Sequence, residues 1–320
     1  MRDELDSACI YGGGDCGGFS QFYKQTIDYE AEDSPNIDNY GLSRPDFPRL
    51  LHNNIETFQY YSADKFNNCF VNNDSQISTL NVNVRGINCN YDNFVMYLNS
   101  LKYNFDALIL TECHIQADEL YNADLHNMHP IDGYDKFYVK SSIKFGGVVM
   151  YVKSEGVYCH ELTKTCATHD SVYVKIDPSN LHKTNSKTRK RLFIGGYYRH
   201  CNTGDIMNFI DEFSTDLAHK SITKNDVILG GDFNICLMKS TYNNDSLCFL
   251  NTILSNLYEI LIFKPTRIQF YKDSLQVKSA TIIDQIMTNL FAYECTSGNL
   301  FYPGYKYTTV LSNHTSTTAH

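Results

Sequence analysis

An acid and an amide two positions apart, Asp232 and Asn234, close the run VILGGDFN at 227–234. Alternation along an extended backbone points both to the same side, and Gly230 with Gly231 lets backbone or substrate approach where side chains would block it. A polar pair is thereby delivered at the C-terminal end of an apolar strand, where open α/β sheets place their chemistry. That geometry suits a site. The same residues also suit a strand running into an Asp/Asn turn, and the octapeptide alone leaves both readings open.

Similar polar endings recur along the chain. Asn81 and Asn83 end the alternating run ISTLNVNV at 77–84, Glu112 ends the apolar run 106–112, and Tyr198 with Arg199 ends 192–199. Asp284 stands alone among apolar neighbours in 280–287, and His314 lies near the end of the chain. Each has an ordinary explanation as a turn, a core residue or a surface residue. Their joint occurrence is harder to dismiss.

The elements that must position them read as alternating strands and helices. Strand 77–84, a helix carrying Phe94, Leu98 and Leu101 between Asp92 and Asn104, and strand 106–112 form a βαβ unit. The run 146–152 predicts a strand, with 171–176 as its neighbour across a turn, followed by strand 192–199. Ile206, Phe209, Ile210, Phe213 and Leu217 predict an amphipathic helix leading to the central strand. A further helix carries Leu247, Leu250, Ile253, Leu254 and Leu257, and one strand covers 280–287. Residues 1–55, with Gly12–Gly14 and an acidic stretch bearing Pro and Asn, lack apolar periodicity and are expected to form a flexible tail preceding a domain at 56–320.

The composition is that of a soluble globular protein: 42% of the 320 residues are hydrophobic, enough for a sizeable core. No apolar run approaches the roughly 18 to 20 residues needed to span a bilayer, and the N-terminus lacks the order of a signal peptide. The expected compartment is intracellular, nuclear or cytoplasmic. The eleven cysteines show no CxxC pairing, which argues against a zinc site and against a disulfide framework. A net charge of −9 is awkward for a nucleic-acid binder, because phosphate contacts need Lys and Arg. One basic cluster exists, Lys183 with Lys187, Arg189, Lys190 and Arg191, and reads either as a solvated hairpin loop or as a phosphate-gripping one.

Taken together, LNVNVRG at 80–86, LTECHI at 110–115, GGVVMYVK at 146–153, YYRHCN at 197–202, GGDFN at 230–234, KPTR at 264–267, TIIDQIMTN at 281–289 and SNH at 312–314 resemble the endonuclease/exonuclease/phosphatase superfamily. The resemblance is nearest to the apurinic-endonuclease-like domain of non-LTR (LINE-type) retrotransposons. It implies an α/β fold, a four-layer sandwich in which two packed, mostly antiparallel β-sheets are flanked by helices. It also implies one metal-dependent site.

Carried over by motif, Glu112 and Asn81 would hold Mg²⁺ or Mn²⁺, Asp232 would orient or deprotonate the attacking water, and Asn234 and Tyr198 would bind the phosphate. His314 would stabilise the charge developing on the phosphate, with Asp284 fixing its tautomer. Arg199 and the basic residues Lys187, Arg189, Lys190 and Arg191 would contact nucleic acid. The family's usual Ser-Asp-His ending is here Ser312-Asn313-His314, so Asn313 offers the metal at best a neutral carbonyl, and the short remaining chain is expected to anchor His314 less firmly.

The implied activity is DNA nicking by a Mg²⁺-dependent endonuclease. It would act as a monomer away from membranes, with any reverse transcriptase supplied elsewhere. The alternatives are a catalytically impaired relic of that domain and a phosphatase acting on small molecules or lipid headgroups.

Overall fold

The computed structural model describes residues 59–72, 77–115, 127–176, 192–201, 206–219, 225–271, 277–290, 294–300 and 308–314. All of these belong to one compact unit, Ser43–His320. The expected tail and the basic cluster at 183–191 lie outside the described residues.

In chain order the strands are β1 (Gln59–Tyr61), β2 (Ile77–Asn83), β3 (Ala107–Thr111), β4 (Tyr134–Val139), β5 (Val148–Lys153), β6 (Val157–Thr165), β7 (His169–Ile176), β8 (Leu192–Arg199), β9 (Asp226–Asp232), β10 (Glu259–Ile260), β11 (Arg267–Phe270), β12 (Val277–Thr281), β13 (Asp284–Thr288), β14 (Glu294–Leu300) and β15 (Thr308–His314). The helices are α1 (Ala63–Cys69), α2 (Ile87–Ser100), α3 (Ile206–Leu217) and α4 (Asn244–Ser255). A seven-stranded sheet runs β1-β14-β15-β2-β3-β5-β4, and a six-stranded sheet runs β10-β13-β9-β8-β7-β6. Parallel pairing is confined to β1/β14, β2/β3 and β8/β9; the other neighbours in these sheets are antiparallel.

Three apolar layers follow from strand alternation. Between the sheets lie Ile109, Val148, Met150, Val172, Val174, Ile194, Ile228 and Ile286. On the outside of the seven-stranded sheet, Leu80, Val82, Leu108 and Leu110 meet Ile87, Phe94, Tyr97 and Leu98 of α2. On the outside of the six-stranded sheet, Tyr197, Leu229 and Phe233 meet Phe209, Ile210 and Phe213 of α3 and Phe249 of α4. Burying each such side chain contributes about 1.5–3 kcal/mol, so two sheets with a helical layer on each outer face is the arrangement that covers every apolar surface. This is the expected four-layer α/β sandwich. No helix among the described residues is long and apolar enough to cross a membrane.

Three expectations about elements are corrected. Helix α2 begins at Ile87 rather than near Asp92, because Gly86, at φ 98°, turns the chain into it and the Asn90 side chain ties back the carbonyls of Val84, Arg85 and Gly86. Strand β7 is not the neighbour of β5: β5 pairs with β3 and β4, whereas β7 pairs with β6 and β8 in the other sheet. The run 280–287 is two strands, split where the carbonyls of Ile282 and Ile283 accept from the N–H groups of Leu237 and Phe233. Asp284 opens the second of them.

The GGDFN strand, the βαβ unit and α3 stand as read. Thr79–Asn83 pairs in parallel with Ala107–Thr111, and β9 lies between β8 and β13.

Candidate active site

Strand register assembles a polar row across the six-stranded sheet. Asp170 of β7 pairs with Tyr198 of β8, Tyr198 with Asp232 of β9, and Asp232 with Asp284 of β13. Alternation with Val172, Ile228 and Ile286 turns these residues to the inner face, towards the other sheet. All four are buried. Three are expected site residues that are distant in sequence. Asp170 is a fourth member that sequence reasoning missed, since its strand was taken to start at Ser171.

The facing sheet contributes Asn81 and Asn83, the inward alternates of outward Leu80 and Val82. The Asn83 Nδ2 group donates to Asp232 Oδ2 at 2.8 Å. Gly230 permits this approach: a Cβ there would stand 2.7 Å from Ile109 Cδ1 and 3.6 Å from Asn81 Cβ. The Asn81 amide is buried, and among the described residues neither its oxygen nor its nitrogen meets a hydrogen-bond partner. An orphaned amide in a buried polar cleft calls for a ligand or ion.

Glu112 follows β3 directly and has φ 51°, in the left-handed region that ordinary side chains avoid. Its backbone carbonyl is fixed by the Gly86 N–H at 2.7 Å. The Glu112 charge reaches Tyr198: burial first, then the negative charges of Glu112 and Asp232, push the phenol above its ordinary pKa. Tyr198 is thereby held neutral, as a hydrogen-bond donor. Asn234, also left-handed at φ 50°, donates its backbone N–H to Asp232 Oδ1 at 3.0 Å and an amide N–H to the Arg199 carbonyl at 2.8 Å. Non-glycine residues held in this region tend to mark functional sites.

Arg199 occupies a different environment from the one expected of a nucleic-acid contact. Its guanidinium is buried and donates to the carbonyls of Phe233, Asn234 and His200, clamping the turn that carries Asn234. Burial lowers its pKa, partly offset by the charge of Asp232. The backbone N–H groups of Asp284 and Ile283 both reach the Thr266 hydroxyl, at 3.2 and 3.3 Å, which explains the KPTR motif as a strand-entry clamp.

The segment carrying Asn313 and His314 runs along the other sheet. Strand β15 runs antiparallel to β2 with Thr309 opposite Asn81 and Asn313 opposite Ile77, and His314 pairs with Glu294. Asn313 is therefore about four residues, or ~13 Å, along the sheet from Asn81. Backbone register places the SNH segment at the end of β2 remote from Asn83. The physical reason is that 308–314 is drawn in full into the ladder between β14 and β2. The basic cluster joins Ile176 to Leu192, which are paired neighbours at the opposite end of β7 and β8 from Asp170 and Tyr198. Ile176 and Leu192 thus end their strands about 20 Å from the polar row.

A separate group, Cys166, His169 and Glu212, brings one ligand atom from each residue within 4.8 Å. It lies on the outer face of the six-stranded sheet.

No family model and no curated protein matches the sequence. Solved structures do match the fold. AP endonuclease LMAP from Leishmania major superposes with a TM-score of 0.52 at 12% identity, covering 75% of this chain and 88% of that one. TDP2 from D. rerio, complexed with a single-strand DNA product, gives 0.51 at 13% identity over 75% of this chain and all of that one. An endonuclease/exonuclease/phosphatase family protein from Leptotrichia buccalis C-1013-b gives 0.51 at 15% identity over 74% and 99%. The chain therefore has the sandwich fold shared by these endonuclease/exonuclease/phosphatase proteins.

Proposed function

We propose that the protein is a divalent-metal-dependent phosphodiesterase that nicks DNA, the activity of retrotransposon-type endonucleases. The observation that carries this reading is the row Tyr198–Asp232–Asp284 facing Asn81 and Asn83, with Glu112 at its edge. Buried carboxylates directly opposite one another repel, and such a cluster favours a cation.

The donors fit Mg²⁺ or Mn²⁺, which take oxygen ligands and retain waters. Glu112 and the Asn81 amide oxygen would hold the ion; when bound, it would polarise the phosphate and neutralise developing charge. Asp232 uses one carboxylate oxygen for Asn83 and the other for the Asn234 N–H. These bonds fix its plane and leave further lone pairs for a water proton, so Asp232 orients and deprotonates the nucleophile. Tyr198 donates its hydroxyl to a phosphate oxygen, and the second amide N–H of Asn234 does the same. Arg199 acts as a positioning residue through the Asn234 turn rather than as a direct contact.

Incubation of supercoiled plasmid with the protein and Mg²⁺ tests this reading. Nicked circles should accumulate with wild type and fall at least about 100-fold with Glu112→Ala, as expected for loss of a group acting on transition-state charge. Equal nicking by both proteins, or none by wild type, rejects it.

The placement of Asn313 and His314 favours a second reading, an impaired relic of the same domain. If Asn313→Asp leaves plasmid nicking undetectable, as in an inactive wild type, this reading gains; robust wild-type turnover ends it.

A further inference from the structure

The turn from β6 into β7 and the second half of α3 build a second cluster that the strand-end chemistry does not use. Cys166 Sγ lies 3.2 Å from His169 Nδ1 and 2.9 Å from Glu212 Oε2, and His169 Nδ1 is 3.4 Å from the same carboxylate oxygen. The turn is closed by the Cys166 N–H donating to the His169 carbonyl at 3.1 Å. The His169 side chain is fully buried, with its ring stacked on Tyr197 at 5.5 Å, while Cys166 and Glu212 are only partly covered. The triangle therefore has a rigid apex and an open side.

The other ring nitrogen, His169 Nε2, faces Asp216 Oδ2 at 3.2 Å. Asp216 stands one helical turn beyond Glu212 and is itself held by Lys164 at 2.9 Å and by the Tyr197 hydroxyl at 3.2 Å. A carboxylate on the far nitrogen orients an imidazole and presents its near nitrogen to a metal. Thr168 donates to Glu212, fixing the second ligand in the same way.

We propose that Cys166, His169 and Glu212 form a second metal site, for a zinc-type divalent ion with a fourth, solvent-facing position. Zinc bond lengths to sulfur, nitrogen and oxygen place tetrahedral ligand atoms about 3.4–3.6 Å apart. The His169–Glu212 edge already has that spacing, the Cys166–His169 edge is about 0.2–0.4 Å short of it, and Cys166 and Glu212 must move apart by about 0.5–0.7 Å. One thiolate and one carboxylate balance a double positive charge. The ligand set differs in kind from the strand-end site: a sulfur and an imidazole suit a borderline-soft ion, whereas Glu112 and Asn81 suit a hard one. A Cys-x₂-His turn plus one helical residue also explains why the absence of CxxC pairs did not reveal the site.

Cobalt(II), a spectroscopic stand-in for zinc, supplies the test. Titration of chelator-treated full-length protein should give tetrahedral ligand-field bands and a thiolate-to-cobalt charge-transfer band saturating at one equivalent. Zinc should displace both. Cys166→Ser should abolish the charge-transfer band, and Asp216→Asn should weaken binding by about 10–100-fold, with circular dichroism confirming that each variant is folded. Glu112→Ala should leave both signals intact, which separates this site from the strand-end one. A wild-type protein that gives no charge-transfer band overturns the proposal, whether or not Cys166 proves reactive towards thiol reagents. So does a band that survives in Cys166→Ser.

Discussion

Asn83 Nδ2 donates to Asp232 Oδ2 at 2.8 Å across 149 residues of chain, and this bond joins the two sheets at the floor of the candidate site. Hydrogen bonds to charged groups contribute about 1.5–3 kcal/mol. Asn83→Ala should lower unfolding free energy by that amount in urea titration and reduce any nicking rate, because Asp232 loses a bond that helps fix its plane. Unchanged stability would show that the bond contributes nothing net.

Under the proposed function, Glu112 would combine a metal-holding role with backbone strain. Its left-handed φ of 51° costs about 1–2 kcal/mol for a side-chain-bearing residue. Glu112→Gly should raise stability by about 0.5–1 kcal/mol after the added flexibility of the unfolded chain is counted. It should also remove the rise in melting temperature that Mg²⁺ gives wild type. Thermal denaturation with and without Mg²⁺ reads both effects. A variant still stabilised by Mg²⁺ would take Glu112 out of the metal site.

Asp170 binds His200 Nε2 at 2.9 Å, the Gly147 N–H at 2.9 Å and the Thr165 hydroxyl at 2.7 Å. Burial opposes its ionisation, but hydrogen bonds from His200, Ser141, Thr165 and Gly147 outweigh that and hold its carboxyl below the ordinary value. A depressed folded-state pKa contributes stability that is present above the unfolded value of about 3.9 and lost as pH falls through the folded value. Asp170→Asn should therefore cost about 2–3 kcal/mol at pH 7, and the gap between variant and wild type should narrow below about pH 4. Chemical denaturation across pH 3–7 measures it; a gap constant with pH would refute the linkage.

Adjacent glycines of the GGDFN strand should differ sharply. A Cβ on Gly231 would lie 2.1 Å from the backbone oxygen of Tyr197, whereas one on Gly230 would meet the end of the Ile109 side chain at 2.7 Å. Side chains can shift and a strand's backbone cannot, so Gly230→Ala should cost about 1–3 kcal/mol and Gly231→Ala more than about 3 kcal/mol. Melting temperatures should rank wild type, Gly230→Ala, Gly231→Ala. The reverse order would mean that β8 and β9 can separate.

Much of the fold was legible in the sequence, because burial on both faces leaves an apolar run and an abrupt polar end. That pattern marked 77–84, 106–112, 192–199 and 227–234 as strands, and 3.6-residue periodicity marked α3. Partnering was not legible: nothing local distinguishes β5 and β7 as members of different sheets, since each is simply an apolar strand. The split of 280–287 was hidden for the same reason, as it depends on the 233–237 turn capturing two carbonyls.

The site divides along the same line. Residue types and strand-end positions nominated Asn81, Glu112, Tyr198, Arg199, Asp232, Asn234, Asp284 and His314 by themselves. Only tertiary structure decided that Tyr198, Asp232 and Asp284 share a row with Asp170, that Arg199 is a buried clamp, and that β15 places Asn313 opposite Ile77. It alone also brought Cys166 and His169 to Glu212 and Asp216. Side-chain chemistry and periodicity are local properties of a chain, whereas register and sheet membership arise from long-range pairing, and there a shift of one residue reverses every side chain.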